Sequence, residues 1–214
     1  MKKCVFYVML MMLATAVAAQ ENVLTSKNGI PILPVKGDFS IGIDAVPFFN
    51  LFKDNSASPG FNFANNIPAI AMKYFLEDNR ALRMQYLIGY SGMNVENSGK
   101  MVETSFGAFV GYEWRTGSSR VQGYTGVQGG GFFGKDKTTD DNGDAYIEES
   151  EFGIVVQGFL GAEYFIAPKL SIGGEFTWGP SYSVFTDNIT SDKVSVFEIG
   201  ADNVNGALML TFHF

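Results

Sequence analysis

The sequence predicts an all-β protein, a transmembrane antiparallel up-and-down β-barrel of about eight strands. Charged residues make up 17% of the 214 positions, well below the ~25% usual for a soluble domain. The 25 glycines accompany 20 phenylalanines and 9 tyrosines, with only 7 prolines, so the composition is not that of a disordered chain. Beyond Asp38, segments of about ten residues alternate apolar with small or polar positions, as half-buried strands do.

The first nineteen residues have the pattern of a cleaved secretory signal peptide. A basic start at Lys2 and Lys3 precedes an apolar run from Val5 to Leu13 and then several alanines. The run is shorter than the ~20 apolar residues that a membrane-spanning helix needs. The mature chain then carries 13 Lys and Arg (15 minus two) against 22 Asp and Glu, or −9. This acidic balance argues against a nucleic-acid partner.

The chain is predicted to divide into three parts: the signal peptide at 1–19, a periplasmic N-terminal segment at 20–37, and the barrel domain at 38–214. The segment at 20–37 contains Pro31 and Pro34 and has no strand pattern. We expect it to lie in the periplasm or across the mouth of the barrel.

Eight alternating segments make up the predicted barrel. They are Asp38–Val46, Ile67–Leu76, Ala81–Tyr90, Val102–Trp114, Val121–Phe132, Phe152–Phe165, Leu170–Trp178 and Asn205–Phe214. The breaks between them alternate between long and short, and the long ones include Ser91–Met101, Phe133–Glu151 and Gly179–Val204. Antiparallel strands joined in this way place all the long loops at one end, predicted to be extracellular, and all the short turns at the other.

Two parities distinguish the faces of these strands. One parity is almost purely apolar, and the other holds glycine, alanine and isolated charges. A soluble lipocalin-like barrel would also alternate, but its exposed face would be rich in long polar residues. Small residues with scattered charges suit the narrow interior of an eight-stranded barrel, so we expect the apolar face to contact lipid. The segment Val121–Phe132 has glycines on both parities and is left unassigned.

Aromatic residues near the segment ends predict two interfacial girdles, and ten tilted residues cover the ~25 Å apolar band of an outer membrane. The predicted girdle residues are Tyr90, Tyr112, Trp114, Phe132, Phe152, Tyr164, Trp178 and Phe212.

Charged residues on the small-residue parity predict an ion-pair network that plugs the lumen. They are Asp44, Lys73, Arg83, Glu103, Glu113, Glu163 and Glu175. A gated polar path is the alternative, but a barrel of this width is filled rather than open. Five carboxylates against two cations leave an acidic excess, so some carboxylates must meet water, accept hydrogen bonds or take up a proton.

The acidic segment between Lys135 and Glu151 has a weak resemblance to a calcium-binding loop. The candidate ligands are Asp140, Asn142, Asp144 and Glu149, but Thr138 stands where the first aspartate of the pattern belongs. A solvated acidic loop is the favoured interpretation, and no metal and no cofactor is predicted.

Catalytic chemistry has little support in this composition. The chain has one histidine, His213, and one cysteine, Cys4, which lies in the predicted signal peptide. This excludes a disulfide scaffold and most zinc or Cys/His sites, and we expect His213 to be a polar residue of the lumen. The protein is therefore predicted not to be an enzyme.

Taken with the signal peptide and the strand pattern, the closing segment Ala207–Phe214 resembles the small outer-membrane β-barrels of the OmpA/OmpX type. The terminal Phe214, with alternate apolar residues before it, is similar to the signal read by the barrel-assembly machinery of Gram-negative bacteria. Gln20 after the alanine-rich signal and the Asn- and Asp-rich loops resemble Bacteroidetes members of this class. The resemblance implies the cell outer membrane as location, with its lipid and lipopolysaccharide as partners.

The expected role is that of a membrane anchor whose acidic loops interact at the cell surface. A narrow passive channel or transport accessory and a soluble periplasmic ligand-binding barrel are the alternatives. Lys193–Ile199 can pair with Tyr182–Thr186 in a hairpin that extends the seventh and eighth strands beyond the membrane. A ten-stranded barrel is the less favoured use of these two segments.

Overall fold

The computed structural model describes residues 24–45, 69–95, 99–140, 145–199 and 204–214. Residues 1–23, which include the predicted signal peptide, lie outside this range. The described residues form ten β-strands: β1 Phe39–Asp44, β2 Ala69–Glu77, β3 Arg80–Val95, β4 Gly99–Thr116, β5 Val121–Thr139, β6 Ala145–Ala167, β7 Leu170–Trp178, β8 Ser181–Asp187, β9 Lys193–Glu198 and β10 Val204–His213. Among them no helix is long and apolar enough to cross a membrane.

Eight of these strands close into an antiparallel barrel. Each pairs with its neighbours in the order β5, β4, β3, β2, β1, β10, β7, β6, and β6 pairs back to β5. The first and last strands meet in register, with Ile41 opposite Phe212. The predicted fold class, an up-and-down β-barrel of about eight strands, is confirmed.

The other two strands, β8 and β9, form a hairpin at the long-loop end. Trp178 of β7 lies opposite Gly158, and Ser181 of β8 lies opposite Val155, so β8 continues β7 along β6 without a change of register. Pro180 interrupts the strand because it has no N–H to donate. The hairpin therefore extends the barrel wall, and the strands that close the barrel number eight rather than ten.

Four strands are longer than the sequence predicts. β3 ends at Val95 and β4 begins at Gly99. Likewise, β5 ends at Thr139 and β6 begins at Ala145. The expectation of long loops at Ser91–Met101 and Phe133–Glu151 was wrong for most of their length. Polar residues can continue a strand beyond an apolar band because the backbone pairing still satisfies their N–H and C=O groups. We call the ends of these four strands, residues 91–95, 99–105, 134–139 and 145–151, together with β8 and β9, the extension.

The two faces of the barrel wall separate by parity. On the outside, large apolar side chains are exposed, with Val110 64%, Val156 63% and Phe176 51% accessible. The fifth strand, unassigned from its sequence, buries Gln122 and Gln128 and exposes Val127. Its even-numbered residues therefore face the lumen.

Inside the barrel, aromatic rings lie over glycines of the next strand. The ring of Tyr124 covers Gly161, where an added Cβ would lie 2.3 Å from Cζ. Phe132 covers Gly153 in the same way, at 2.2 Å. The assignment of Phe132 to an outward girdle was therefore wrong: it shares the inward parity of Tyr124, and its neighbour Phe133 is the exposed residue.

The N-terminal residues 24–38 lie against the short-turn end. The amide of Gly37 donates to the carbonyl of Phe75 at 2.8 Å, and that of Lys169 donates to Ile32 at 3.1 Å. Ile32 is 2% exposed, and Lys169 forms an ion pair with Asp38. Residues 24–38 therefore lie against the short-turn mouth of the barrel.

Replacing Gly161 with alanine should destabilise the barrel because its methyl group would displace the buried Tyr124 ring. We expect a loss of about 1–3 kcal/mol in the free energy of unfolding, measured by urea denaturation of the detergent-solubilised protein. Gly158→Ala is the matched control in the same strand, since its nearest neighbour, a backbone oxygen, is 3.8 Å away. Equal losses in the two variants would contradict this packing.

Candidate functional site

The candidate site is the cluster of ion pairs inside the barrel, and Glu113 is at its centre. This carboxylate is fully buried, with 0% of its surface exposed. Lys73 Nζ donates to its Oε1 at 3.0 Å and Arg115 Nη1 donates to the same atom at 2.8 Å. Arg83 Nη1 is 3.8 Å from Oε2. Three cations on three strands therefore surround one carboxylate.

Two further carboxylates complete the charge balance. Glu175 accepts two hydrogen bonds from Arg83, at 2.7 and 2.9 Å, in the bidentate geometry that gives the strongest pairs. Glu163 forms an ion pair with Arg115. Among the described side chains the network therefore holds three cations and three carboxylates, and we call these six residues the ionic core.

Among the described side chains of the lumen the expected acidic excess is not found, for two reasons. Arg115, which the sequence pattern placed in a turn, reaches back into the lumen and is 6% exposed. Glu103 has the inward parity but lies in the extension, where its side chain is exposed. Asp44 ends β1 opposite Met209, and its side chain lies outside the described part of the chain.

Aromatic rings separate the charges of the ionic core. Lys73 Nζ lies 4.4 Å from the centre of the Tyr124 ring, and the Arg83 guanidinium lies 4.0 Å from that of Phe159. A cation over a ring face gains a further attraction of about 2 kcal/mol when water is excluded. Both rings lie over glycines, Gly161 and Gly126, so the small residues make room for the contacts that hold the cations.

Below the ionic core, a serine, a histidine and a glutamate meet at the short-turn end. Ser171 Oγ donates to Glu163 at 2.9 Å and lies 3.1 Å from His213 Nε2. A hydrolytic triad needs the carboxylate on Nδ1, where it orients the ring, but Glu163 lies 4.0 Å from Nε2. Ser171 is also fully buried. The arrangement is therefore that of a packed polar layer, which no substrate carbonyl can approach.

The space left inside the ionic core is small. A cavity of about 20 Å³ lies between Ser40, Lys73, Arg83, Glu163 and Glu175. This is room for roughly one water molecule. At this level the described side chains fill the cross-section of the barrel.

The predicted girdle positions, apart from Phe132, lie on the outer face of the wall. Tyr90 is 73% exposed, Phe152 59%, Tyr164 47%, Trp114 and Trp178 45% each and Phe212 42%, and Tyr112 packs its ring 4.9 Å from that of Trp114. Phe214 follows β10 and is 68% exposed, and its backbone exchanges two hydrogen bonds with Phe39.

The weak calcium candidate cannot be placed as a set. Asn142 and Asp144 lie outside the described residues, whereas Glu149 is in β6 and Asp140 directly follows β5. Within the part of the chain that is described, no three His, Cys, Asp or Glu side chains are arranged to hold a metal ion.

A row of carboxylates crosses the extension on the face continuous with the lumen. Glu103 lies opposite Asp136, Asp136 opposite Glu149, and Glu149 opposite Asp187. Directly opposed like charges destabilise a sheet. The pKa of nearby Glu151 is raised by partial burial and by the carboxylates of Asp136 and Glu198. This acidic face lies at the mouth of the barrel on its long-loop side.

The fold and the site together define a closed eight-stranded β-barrel with an apolar outer surface and a lumen that the described side chains fill, among them three cations and three carboxylates. No protein-family model and no curated protein matches the chain in sequence.

Several solved structures resemble it at 14% sequence identity, each match covering 84% of this chain and 99% of the other. They include the attachment invasion locus protein Ail of Yersinia pestis and a major outer membrane protein from Thermus thermophilus, both with a TM-score of 0.45. Outer membrane protein W of E. coli gives a TM-score of 0.42. The fold assignment rests on the strand pairings of this chain.

Glu113→Gln should destabilise the barrel because it leaves Lys73 and Arg115 without the charge between them. Breaking a buried ion pair by removing one partner costs about 3–5 kcal/mol, to be measured by urea unfolding in detergent. Glu103→Gln is the control in the same strand and parity, and we expect a change within about ±0.5 kcal/mol there. A loss of less than about 0.5 kcal/mol for Glu113→Gln would show that the ionic core does not depend on this carboxylate.

Proposed function

We propose that the protein is an integral β-barrel of the bacterial outer membrane that acts as an anchor for an interaction surface outside the membrane. The observation that carries this proposal is the inverted distribution of polarity: large apolar side chains cover the outside of a closed wall, and ionised side chains fill its inside. A water-soluble barrel has the opposite arrangement. A surface of this kind is stable only against lipid.

The height of the apolar surface supports this proposal. Trp114, near a short turn, and Thr104, in the same strand, are ten residues apart (114 − 104). Strands tilted by ~40° with a rise of ~3.3 Å per residue cover about 25 Å along the membrane normal over that distance. The outward aromatic residues bracket this length: Phe106 and Trp114 of β4 are eight residues apart (114 − 106), and Phe152 and Tyr164 of β6 are twelve apart (164 − 152). This spacing supports two interfacial girdles.

The filled lumen favours an anchor over a channel. Its described cross-section leaves a cavity of about 20 Å³ between charged side chains that are already paired. The buried Ser171 and His213 have no access for a substrate, which supports a role without catalysis. The proposed interaction is then made by the extension, the part of the chain beyond the apolar band of the wall.

The acidic face of the extension is the proposed interaction surface. It carries Glu103, Asp136, Glu149, Glu151, Asp187 and Glu198, and the described residues of the extension put no lysine or arginine on this face. Clustered carboxylates attract cationic partners over about a Debye length. We expect the partner to present a basic surface.

Insertion into lipid is tested by Val156→Arg. Val156 is 63% exposed near the middle of the apolar wall, so arginine there is nearly neutral if this face meets water. It costs about 2–4 kcal/mol if the face meets lipid. We expect the larger cost, measured as a lower yield of folded barrel in liposomes and a lower free energy of unfolding.

Val194→Arg is the control for that substitution, since Val194 is 60% exposed but lies in the extension. We expect it to fold into liposomes like the unmodified chain. Equal behaviour of the two arginine variants, or recovery of the unmodified chain in solution without detergent, would reject the membrane location.

The interaction surface is tested by the triple variant E103Q/D136N/E149Q. We expect a higher Tm at low salt, because three opposed charges are removed, and a weaker retention of an oligolysine probe by the detergent-solubilised barrel. Both differences should shrink in about 1 M salt, where the Debye length is ~3 Å. Glu148→Gln, in β6 on the opposite face, should not weaken retention, and the proposal fails if it does so to the same extent.

A further inference from the structure

Exposed apolar side chains lie among the carboxylates on the acidic face of the extension. They are Met93, Met101, Ile147, Phe185 and Val194, and the fraction of each that is exposed is between 40% and 60%. Their strand pairings give all five the same parity as the carboxylates. Because this face continues the lumen side of the wall, lipid does not cover it, and the bilayer does not account for these side chains.

Three of the five form a patch near the ends of the long strands. Met93 lies opposite Met101, Met101 opposite Thr138, and Thr138 opposite Ile147. Directly opposed side chains have Cβ atoms about 5 Å apart, so this row is one surface across β3, β4, β5 and β6. We call Met93, Met101 and Ile147 the methionine patch.

The other two form a patch on the hairpin. Phe185 of β8 lies opposite Val194 of β9 on one side and opposite Glu151 of β6 on the other. Partial burial raises the pKa of the Glu151 carboxyl, as expected for a carboxyl group beside an apolar neighbour. We call Phe185 and Val194 the hairpin patch.

The row of carboxylates lies between the two patches. Each of three carboxylates is two residues along its strand from a patch residue, and the pairs are Met101 with Glu103, Ile147 with Glu149, and Phe185 with Asp187. Two residues along a strand are ~6.6 Å apart on the same face. Alternate side chains of any extended peptide have this same spacing. A peptide laid along these strands can therefore put a cation over a carboxylate and an apolar side chain over the adjacent patch.

Both features of this face destabilise the free protein. Opposed carboxylates repel one another, and apolar side chains clustered outside the bilayer are exposed to water. Methionine and aromatic side chains are enriched where proteins bind partners, and methionine adapts to partners of different shape. A partner that carries both cations and apolar side chains would remove both of these unfavourable terms.

We propose that the acidic face binds a basic peptide segment whose cations alternate with apolar side chains, and that the two patches contact those apolar side chains. This inference rests on the proposed interaction surface and adds the second half of its partner's chemistry. The carboxylates attract the segment from a distance. The patches select among basic segments, because burial of apolar side chains is not screened by salt.

Two peptides of equal charge test the proposal, KKLSKKLS and KKSSKKSS. On one side of the extended KKLSKKLS chain, lysine and leucine alternate. Binding of each labelled peptide to the detergent-solubilised full chain is measured by fluorescence anisotropy, with empty micelles as the blank. We expect KKLSKKLS to bind about tenfold more tightly. In about 1 M salt its binding should remain detectable while that of KKSSKKSS is lost.

The hairpin offers a matched pair of variants. F185T/V194T removes the hairpin patch, and Y182T/F197T removes a directly opposed apolar pair, 43% and 66% exposed, from the other face of the same two strands. We expect F185T/V194T to weaken KKLSKKLS binding about threefold or more and to leave KKSSKKSS unchanged. Y182T/F197T should change neither.

The methionine patch gives a second, independent variant. M93T/M101T lies on β3 and β4, away from the hairpin, and should also weaken only the binding of KKLSKKLS. It therefore tests the proposal even if the hairpin variant does not fold.

Three results would overturn the inference. One is equal affinity of the two peptides for the unmodified chain, and another is equal effects of the inner and outer hairpin variants. The third is a dimer in detergent that dissociates in F185T/V194T, since a second copy would then cover this face. If KKSSKKSS binds at low salt but leucine gives no advantage, only this inference fails. If neither peptide binds, the proposed acidic interaction surface fails with it.

Discussion

The charge balance of the barrel interior depends on Glu113, because without this carboxylate the buried cations Lys73, Arg83 and Arg115 would repel one another. Eight strands enclose a space just wide enough for side chains, so water cannot solvate the charges there, and each ion needs a protein partner. Glu113 lies between Lys73 and Arg115, with Arg83 at 3.8 Å. Because these cations come from β2, β3 and β4, the carboxylate joins neighbouring strands of the wall through their side chains as well as through their backbones.

The rest of the interior follows from the space that this cluster needs. Long cationic side chains require flat, polarisable neighbours, which Tyr124 and Phe159 provide. Their rings in turn require residues without a Cβ on the next strand. The high glycine content is thus a consequence of the charged lumen. Because the charged side chains point inward, the outer face of the wall can be apolar over the whole height of the band.

Period-2 alternation in the sequence was enough to predict the wall, its closure into eight strands and the inward orientation of Lys73, Arg83, Glu113, Glu163 and Glu175. It did not reveal Arg115, because that residue directly follows the last apolar residue before a turn and its strand continues one residue further. Parity also put Glu103 in the lumen, since alternation carries no information on height. Strand five could be oriented only by its neighbours, because glycine occupies both of its faces.

The period-2 alternation continues beyond the edge of the apolar band, but the residue types on the two parities change there. Within the band, one parity is apolar and the other is small or charged, because lipid and a narrow lumen lie on the two sides. Beyond the band both sides are polar, yet parity still separates Lys135 from Asp136 and Glu148 from Glu149. Backbone pairing alone does not require this sorting. Its cost is the opposition of like charges along a row, Glu103 with Asp136 and Asp136 with Glu149. The sorting therefore gives the two faces of the extension opposite charge, which is the basis of the proposed interaction surface.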